Sequence, residues 1–317
     1  MPLLSPSETE ITALRTGVAL VDRSERGRLA LSGPDSKAAL NAVVTNEIAE
    51  LTAGSGCFAV CCTAKGRMLG DLRVLDSGDE LLLDMERCAL QPIFDVIRHG
   101  LVGYEAELHK RTLATSLFSL LGPQARSATG ADALGVNEDD NVAAQIAGLP
   151  VLLIATNSGV DVLCSADSSD AVRAELLAAG ATEAGEPLAE LARIESGRPR
   201  YGVDLDESVI PQEGGLNERA VSFTKGCYVG QETIARLHYR GRPNRRLCML
   251  KLSGEADPGA VLSTDEREVG TLTSIALSPE EGLIGLALVR READDGTTVK
   301  VGTGAVEAEI FGAKSEQ

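Results

Sequence analysis

The chain has 317 residues, 44% of them hydrophobic and 24% charged, and it carries a net charge of −17 at pH 7. That length exceeds one ordinary core and that composition excludes a disordered chain, so two or three globular domains are expected. The acidic balance argues against broad binding to nucleic acid or to anionic membranes.

In chain order, 27–32 alternates like a strand. Gly33-Pro34-Asp35 ends it and opens a helix through Ala38, Leu40 and Val43, with the acid at the helix's positive end. Strands at 56–62 and 68–75 flank the turn Ala64-Lys65-Gly66-Arg67, a hairpin pattern. A strand at 81–84 and a helix at 90–99 follow. The order then recurs, with a strand at 116–121, Gly122-Pro123-Gln124 opening a helix, a hairpin of 149–155 with 160–165, and a helix at 169–179. Such a recurrence predicts two related α+β lobes, about 17–110 and 111–200, rather than a solenoid. A helix at 187–196 stops at Gly197, and Pro199 forbids its continuation. The turn-rich stretch 200–216 is long for a connection, which marks a functional or disordered loop. A short helix is expected at 233–237. From 247 onward, short strands at 247–252, 260–263, 269–275, 283–289 and 305–310 predict a small all-β barrel or sandwich. The expected domains are therefore 1–243, comprising both lobes and a motif segment 201–243, and 244–317.

The densest chemistry lies in Lys225-Gly226-Cys227-Tyr228-Val229-Gly230-Gln231-Glu232. Two glycines permit tight turning or close approach to a ligand. Cys227 is expected at or just before a helix N-terminus, where that end and Lys225 favour a thiolate; the plain alternative is a buried cysteine in a turn. Downstream, Arg236, His238, Arg240, Arg242, Arg245 and Arg246 occur with no acid between Glu232 and Glu255. This run reads as a solvated face or as a funnel for an anionic ligand. Glu195 lies on the apolar side of its helix. It pairs with Arg193 or Arg198, or it receives a ligand's amino and ring N–H groups. Asp71, behind Gly70, reads first as a turn residue.

Other chemistries lack their signals. Phosphate-loop, dinucleotide and nucleophile-elbow patterns are absent. His238 lies about 16 Å from Cys227 on a continuous helix, so a Cys-His pair needs the chain to fold back. Seven scattered cysteines and three histidines suggest neither a disulfide framework nor a metal site. No apolar run spans a bilayer and the N-terminus has no basic-apolar leader, so the expectation is a cytoplasmic protein without a membrane partner. Nothing resembling a coiled coil or a large apolar face asks for more than a monomer.

The octapeptide 225–232 closely resembles the signature of the YgfZ-type folate-binding proteins. These are relatives of the glycine-cleavage aminomethyltransferase, or T-protein, implicated in iron–sulfur cluster maintenance and through it in tRNA modification. Further matches run in order along nearly the whole chain. They are Gly33-Pro34-Asp35, Thr45-Asn46, Gly66-Arg67 before Asp71, Gly122-Pro123, Arg193-Ile194-Glu195-Ser196-Gly197, Pro211-Gln212-Glu213 and Gly270-Thr271-Leu272-Thr273-Ser274. The resemblance implies an α+β fold of two related lobes plus a small C-terminal antiparallel β-barrel, around a central site for tetrahydrofolate or a one-carbon derivative. It implies that Glu195 holds the pterin and that Arg236 and its neighbours take the glutamate carboxylates. Asn46, Tyr228, Gly230, Gln231 and Glu232 are likewise expected at the cofactor, and Cys227, tuned by Lys225, as the reactive thiolate. Asp71 aligns with an acidic pair that is catalytic in the transferase, but Gly70 replaces its companion. The lysine and cysteine of the octapeptide are missing from the transferase. The implied function is tetrahydrofolate binding in iron–sulfur cluster assembly or repair, with iron–sulfur proteins or their assembly factors as partners. The alternatives are a folate-dependent aminomethyl- or methyltransferase using Asp71, and a non-catalytic RNA- or protein-binding scaffold using 236–246.

Overall fold

The computed structural model describes residues 5–265 and 267–312; residues 1–4, the start of the stretch read as leaderless, lie outside them. The first lobe opens with the strand Gly27–Ser32, which buries Leu29 and Leu31 in the core. Gly33 follows at φ +106°, and a Cβ there would lie 2.4 Å from Glu105 O, so glycine is required where the chain turns into the helix Ser36–Asn41. The lobe continues with the hairpin Gly56–Cys62 and Met68–Asp76, the strand Leu81–Met85, a 3-10 turn Arg87–Ala89, the helix Leu90–Gly100 and the strand Glu107–Lys110. The sheet runs in the order 56–62, 68–76, 81–85, 27–32, 107–110, with every neighbour antiparallel. Ile93 and Ile97 seat the longer helix on it.

The second lobe repeats that series. It has the strand Thr115–Leu121, the helix Ala125–Thr129, strands Asn141–Ile146, Leu149–Thr156 and Gly159–Ser165, a 3-10 turn Ala166–Ser168, the helix Ser169–Ala178 and the strand Thr182–Ala184. The predicted pairing of 149–155 with 160–165 is present. However, the counterpart of the first lobe's hairpin is 141–146 with 149–156, a pair the sequence pattern did not reveal. Asn141–Ile146 is an edge strand with a partly exposed Ala-rich sequence, so its hydrophobic alternation is weak. The short strands Ala19–Asp22, Glu107–Lys110 and Thr182–Ala184 and the helix Glu8–Thr16 were missed as well. Ala19–Asp22 inserts into the second sheet, antiparallel to Thr115–Leu121 and parallel to Thr182–Ala184.

The helix Glu186–Glu195 starts with proline in its first turn and buries Leu188, Leu191 and Ile194. Leu191 and Ile194 pack against Leu247, Met249, Ile284 and Leu286 on the outside of the C-terminal barrel. This six-stranded antiparallel barrel closes in the order 245–252, 282–290, 268–278, 261–263, 298–301, 306–312. Closure leaves no sheet edge. Thr298–Val301, four residues set among Gly and Asp turns, was not anticipated. Loop 200–216 is anchored rather than loose, because Leu205, Val209 and Leu216 are buried in one cluster with Tyr228 and Ile234. Among the described residues, no helix is long and apolar enough to cross a membrane.

Candidate functional site

The octapeptide folds onto the first lobe. Lys225 is buried, and its Nζ donates to Asn41 O at 2.7 Å, Val44 O at 2.9 Å and Asn46 O at 2.5 Å. Three ammonium protons meet three carbonyls, one at the last residue of the helix Ser36–Asn41 and two in the turn that follows it. Burial pushes this amine down to about 8. Tyr228 has its ring centroid 5.4 Å from Nζ and is itself buried, which pushes its phenol up to about 12. Asn46 completes the joint, with Nδ2 donating to Phe58 O at 2.8 Å and Arg219 O at 3.2 Å. The structure therefore brings Asn46, Lys225 and Tyr228 together, with the lysine turned inward onto carbonyls.

Cys227 is exposed, three residues before Gly230, the N-cap of a helix that runs over Gln231–Arg240 rather than only 233–237. Gly230 adopts φ +87°, and a Cβ there would lie 2.6 Å from Thr63 O, so the motif's second glycine permits contact with the hairpin turn. Gln231 donates to Gly226 O at 3.3 Å, and Glu232 and Arg236 are exposed. His238 stacks on Phe223 with ring centroids 3.7 Å apart. The basic run is neutralised in part by acids from elsewhere in sequence, since Arg245 pairs with Glu213 at 3.0 Å and Arg246 with Asp295 at 2.7 Å.

Glu195 occupies a different place, a cleft of about 550 Å³ beside the N-terminal helix. Neither Arg193 nor Arg198 is its partner. Arg193 pairs with Glu190 and Asp204, and Arg198 with Glu138. Instead Arg15 Nη2 reaches Glu195 Oε1 at 2.5 Å, and Ser278 Oγ of the barrel donates to the same oxygen at 2.7 Å. No described residue donates to Oε2. The turn 156–158, Ala192 and Ser196 are shared with a second cleft of about 180 Å³ between the lobes, so the two are continuous. Six arginines line this inner cleft, among them Arg23, Arg73, Arg198 and Arg219, against the acids Glu138 and Asp161. Arg73 bridges the lobes, with Asp161 at 2.7 Å and Asp84 at 2.9 Å. Arg219 lies 3.9 Å over the Phe58 ring. Three buried polar atoms along these clefts, Arg23 Nε, Thr156 Oγ1 and Arg219 Nε, have no hydrogen-bond partner among the described residues. Such atoms are costly unless a ligand or solvent group meets them.

Asp71 lies on the strand Met68–Asp76 opposite Val60. It is buried, and burial together with nearby Glu86 pushes its carboxyl up to about 7. Its neighbour Gly70 has no room for a side chain, because a Cβ would lie 2.5 Å from Ala89 Cβ and 2.9 Å from Ile93 Cδ1. Sequence reasoning missed Arg15 and Ser278, which fix Glu195. It also missed Asp139, a buried residue at φ +67° whose carboxyl burial pushes up to about 6. Backbone strain of that kind collects at functional sites. Among the described residues, no group of three or more His, Cys, Asp or Glu side chains is arranged to hold a metal ion.

Comparison with known proteins supplies the lineage. Residues 3–225 match the GCVT N-terminal domain, and residues 245–313 match the glycine cleavage T-protein C-terminal barrel domain. A protein of Arabidopsis thaliana, named as an inferred chloroplastic transferase, is 30% identical over 92% of this chain and 70% of its own length. An aminomethyltransferase of Streptomyces avermitilis is 30% identical over 98% of this chain and 88% of its own length. The crystal structure of the glycine cleavage system aminomethyltransferase T from Bartonella henselae superimposes with a TM-score of 0.86, at 20% identity over 96% of this chain and 88% of that one, which establishes the shared fold. The chain belongs to the glycine cleavage T-protein family.

Proposed function

We propose that the chain binds tetrahydrofolate, or a one-carbon derivative of it, in the continuous cleft between the lobes, and that it serves iron–sulfur cluster assembly or repair as a YgfZ-type protein. One observation carries the folate reading. Glu195 lines the outer part of that cleft with Oε1 fixed by Arg15 and Ser278 and Oε2 left to accept, and the adjoining inner part is walled by arginines. A carboxylate held this way suits the amino and ring N–H edge of a pterin, and guanidinium forks suit the carboxylates of a glutamate tail. The partnerless Arg23 Nε, Thr156 Oγ1 and Arg219 Nε add hydrogen-bonding capacity along the same path. Arg198 and Arg219 are better placed for the tail than Arg236, which is exposed and lines neither cleft. When bound, tetrahydrofolate supplies a carrier for a one-carbon unit. Cys227, exposed on the outer side of the motif, is assigned to chemistry with a partner rather than to the cleft.

Position 70 favours this reading over aminomethyl transfer, because a second carboxylate beside Asp71 would collide with Ala89 and Ile93. The transferase reading keeps one observation of its own. Asp71 exchanges its proton near neutral pH, which is where a general acid or base works best. Calorimetry with tetrahydrofolate under reducing conditions tests the first reading. The wild type should bind, and Glu195→Gln should bind at least about tenfold more weakly. A wild type that takes up no folate species sinks it. If Cys227→Ser supports cluster enzymes normally in a deletion strain, the cysteine has no part in that work. Turnover of a methylamine-type donor that vanishes in Asp71→Asn would move the assignment to a transferase.

A further inference from the structure

Most arginines inside this acidic chain are matched with carboxylates, as Arg26, Arg73, Arg193, Arg200 and Arg219 are. Three others line one cleft, and among the described residues Glu213 is the one carboxylate that pairs with any of them. A cleft of about 600 Å³ lies between loop 202–213 and the barrel, and its lining shares no residue with the Glu195 cleft or the inner cleft. Arg67 reaches it from the hairpin turn of the first lobe, Arg245 from the start of the strand Arg245–Leu252, and Arg290 from the end of Gly282–Arg290.

Arg245 is the hub of the three. It is the direct cross-strand partner of Arg290, an arrangement of like charges that works against the sheet unless something else answers it. Arg67 Nη1 and Arg245 Nη2 donate to the same carbonyl, Ser208 O, the latter at 2.9 Å. Both guanidiniums also face one carboxylate oxygen, Glu213 Oε2, at 3.7 Å from Arg67 Nη1 and 3.0 Å from Arg245 Nη2. Glu213 is buried and already accepts from Ile210 N. Arg290 is exposed, and its side chain makes no ion pair or hydrogen bond among the described residues. Arg67 and Arg245 therefore share one buried anion, and Arg290 beside them has none among the described residues. Asp204 at the edge is spent on Arg193, Thr273 and Ser274. Asp206 and Glu268 also line the cleft, but they are exposed. Guanidiniums that merely coat a barrel surface would spread apart into water; Arg67 and Arg245 are instead held on one carbonyl, with Arg290 paired across the strands from Arg245.

We propose that this cleft is a second ligand site, in which Arg67, Arg245 and Arg290 hold the anionic head of a small phosphate-bearing molecule while its polar or cationic remainder faces Asp206 and Glu268. Guanidinium forks accept phosphate and carboxylate alike, but a phosphate's higher charge and three open oxygens answer three arginines better. The proposal stands apart from the folate reading and survives if that reading fails.

Titration calorimetry of the full chain at low salt, with inorganic pyrophosphate and citrate as separate probes, tests it. Pyrophosphate should saturate a site, and Arg290→Ala should weaken it at least about tenfold. Arg290 has no partner to lose, so that variant keeps its fold, and circular dichroism verifies this. Arg98→Ala, an exposed arginine on the helix Leu90–Gly100, should change the affinity by no more than about twofold. The idea fails if pyrophosphate gives no saturable heat up to about 10 mM. It fails equally if Arg290→Ala binds like the wild type or if Arg98→Ala loses as much. Saturation by citrate but not by pyrophosphate overturns the phosphate head.

Discussion

Arg15 and Glu195, 180 residues apart in sequence, meet at 2.5 Å on the wall of the outer cleft, and Ser278 closes on the same carboxylate oxygen from the barrel. One oxygen of Glu195 is thus fixed by the N-terminal helix and by the barrel, and the other is presented. Arg15→Gln should weaken tetrahydrofolate binding by about tenfold or more, since hydrogen bonds to charged groups contribute about 1.5–3 kcal/mol. Arg15→Lys should recover part of the loss. Calorimetry on the two variants checks both statements, and an Arg15→Gln protein of unchanged affinity would detach Glu195 from its partners' control.

Lys225 should behave as a structural cation. Replacing it with alanine leaves the carbonyls of Asn41, Val44 and Asn46 without their donor. A loss of about 2–3 kcal/mol in urea unfolding is expected. Lys225→Arg should not restore it, because a planar fork does not fit a three-carbonyl cup.

Asp71 predicts a pH dependence. An acid whose folded pKa lies above its unfolded value of 3.8 keeps an extra proton in the folded chain. Stability from this group is therefore greatest below about pH 4 and declines as pH rises through 7. Asp71→Asn removes that decline. The variant should gain about 2–3 kcal/mol relative to the wild type between pH 5 and pH 8, at about 1.4 kcal/mol per unit of pKa over the roughly two units between pH 5 and the folded value. Denaturant melts at the two pH values test it, and equal differences at both would contradict the raised carboxyl.

Asp204 should be the least replaceable acid at the barrel interface. Its side chain has 0% exposure and receives Arg193 at 2.7 Å, Arg200 N at 2.9 Å, Thr273 at 2.5 Å and Ser274 at 2.7 Å. Asp204→Ala leaves a buried guanidinium with less compensation, so a loss of about 3–5 kcal/mol is expected in urea or thermal unfolding.

Gly70→Asp tests whether a transferase-like acidic pair can be rebuilt. The new Cβ would lie 2.5 Å from Ala89 Cβ. Overpacking of that kind costs about 1–3 kcal/mol or more, so a destabilised protein without aminomethyl transfer is the expected result.

The lobes, the hairpin 56–76 and the barrel were legible because each has its own local punctuation, glycine-proline openings in the lobes and evenly spaced turns in the barrel. The octapeptide stood out for the same reason, since its chemistry is packed into eight neighbouring positions. Its wiring was not legible. The reading set Lys225 beside Cys227 from sequence proximity, whereas the ammonium goes to carbonyls at 41, 44 and 46 that only the folded chain brings near. Glu195 shows the same limit, because its helix offered Arg193 and Arg198 as partners while the fold supplies Arg15 and Ser278. The missed strands Ala19–Asp22 and Thr182–Ala184 span four and three residues, too few for a period of two to declare itself.

The strand Ala19–Asp22 also has a consequence for how the protein is made. It leaves the ribosome before any of the first lobe, yet its two neighbours in the sheet lie at 115–121 and 182–184. The first lobe has all five of its strands within 27–110 and can close as soon as it is synthesised. The second lobe must wait for its last strand and then reclaim a segment made at the outset, reaching back around a neighbour that has already folded. The beginning of the chain thus serves as a latch for its middle, and trimming the first two dozen residues would open a slot in the second sheet while leaving the first intact.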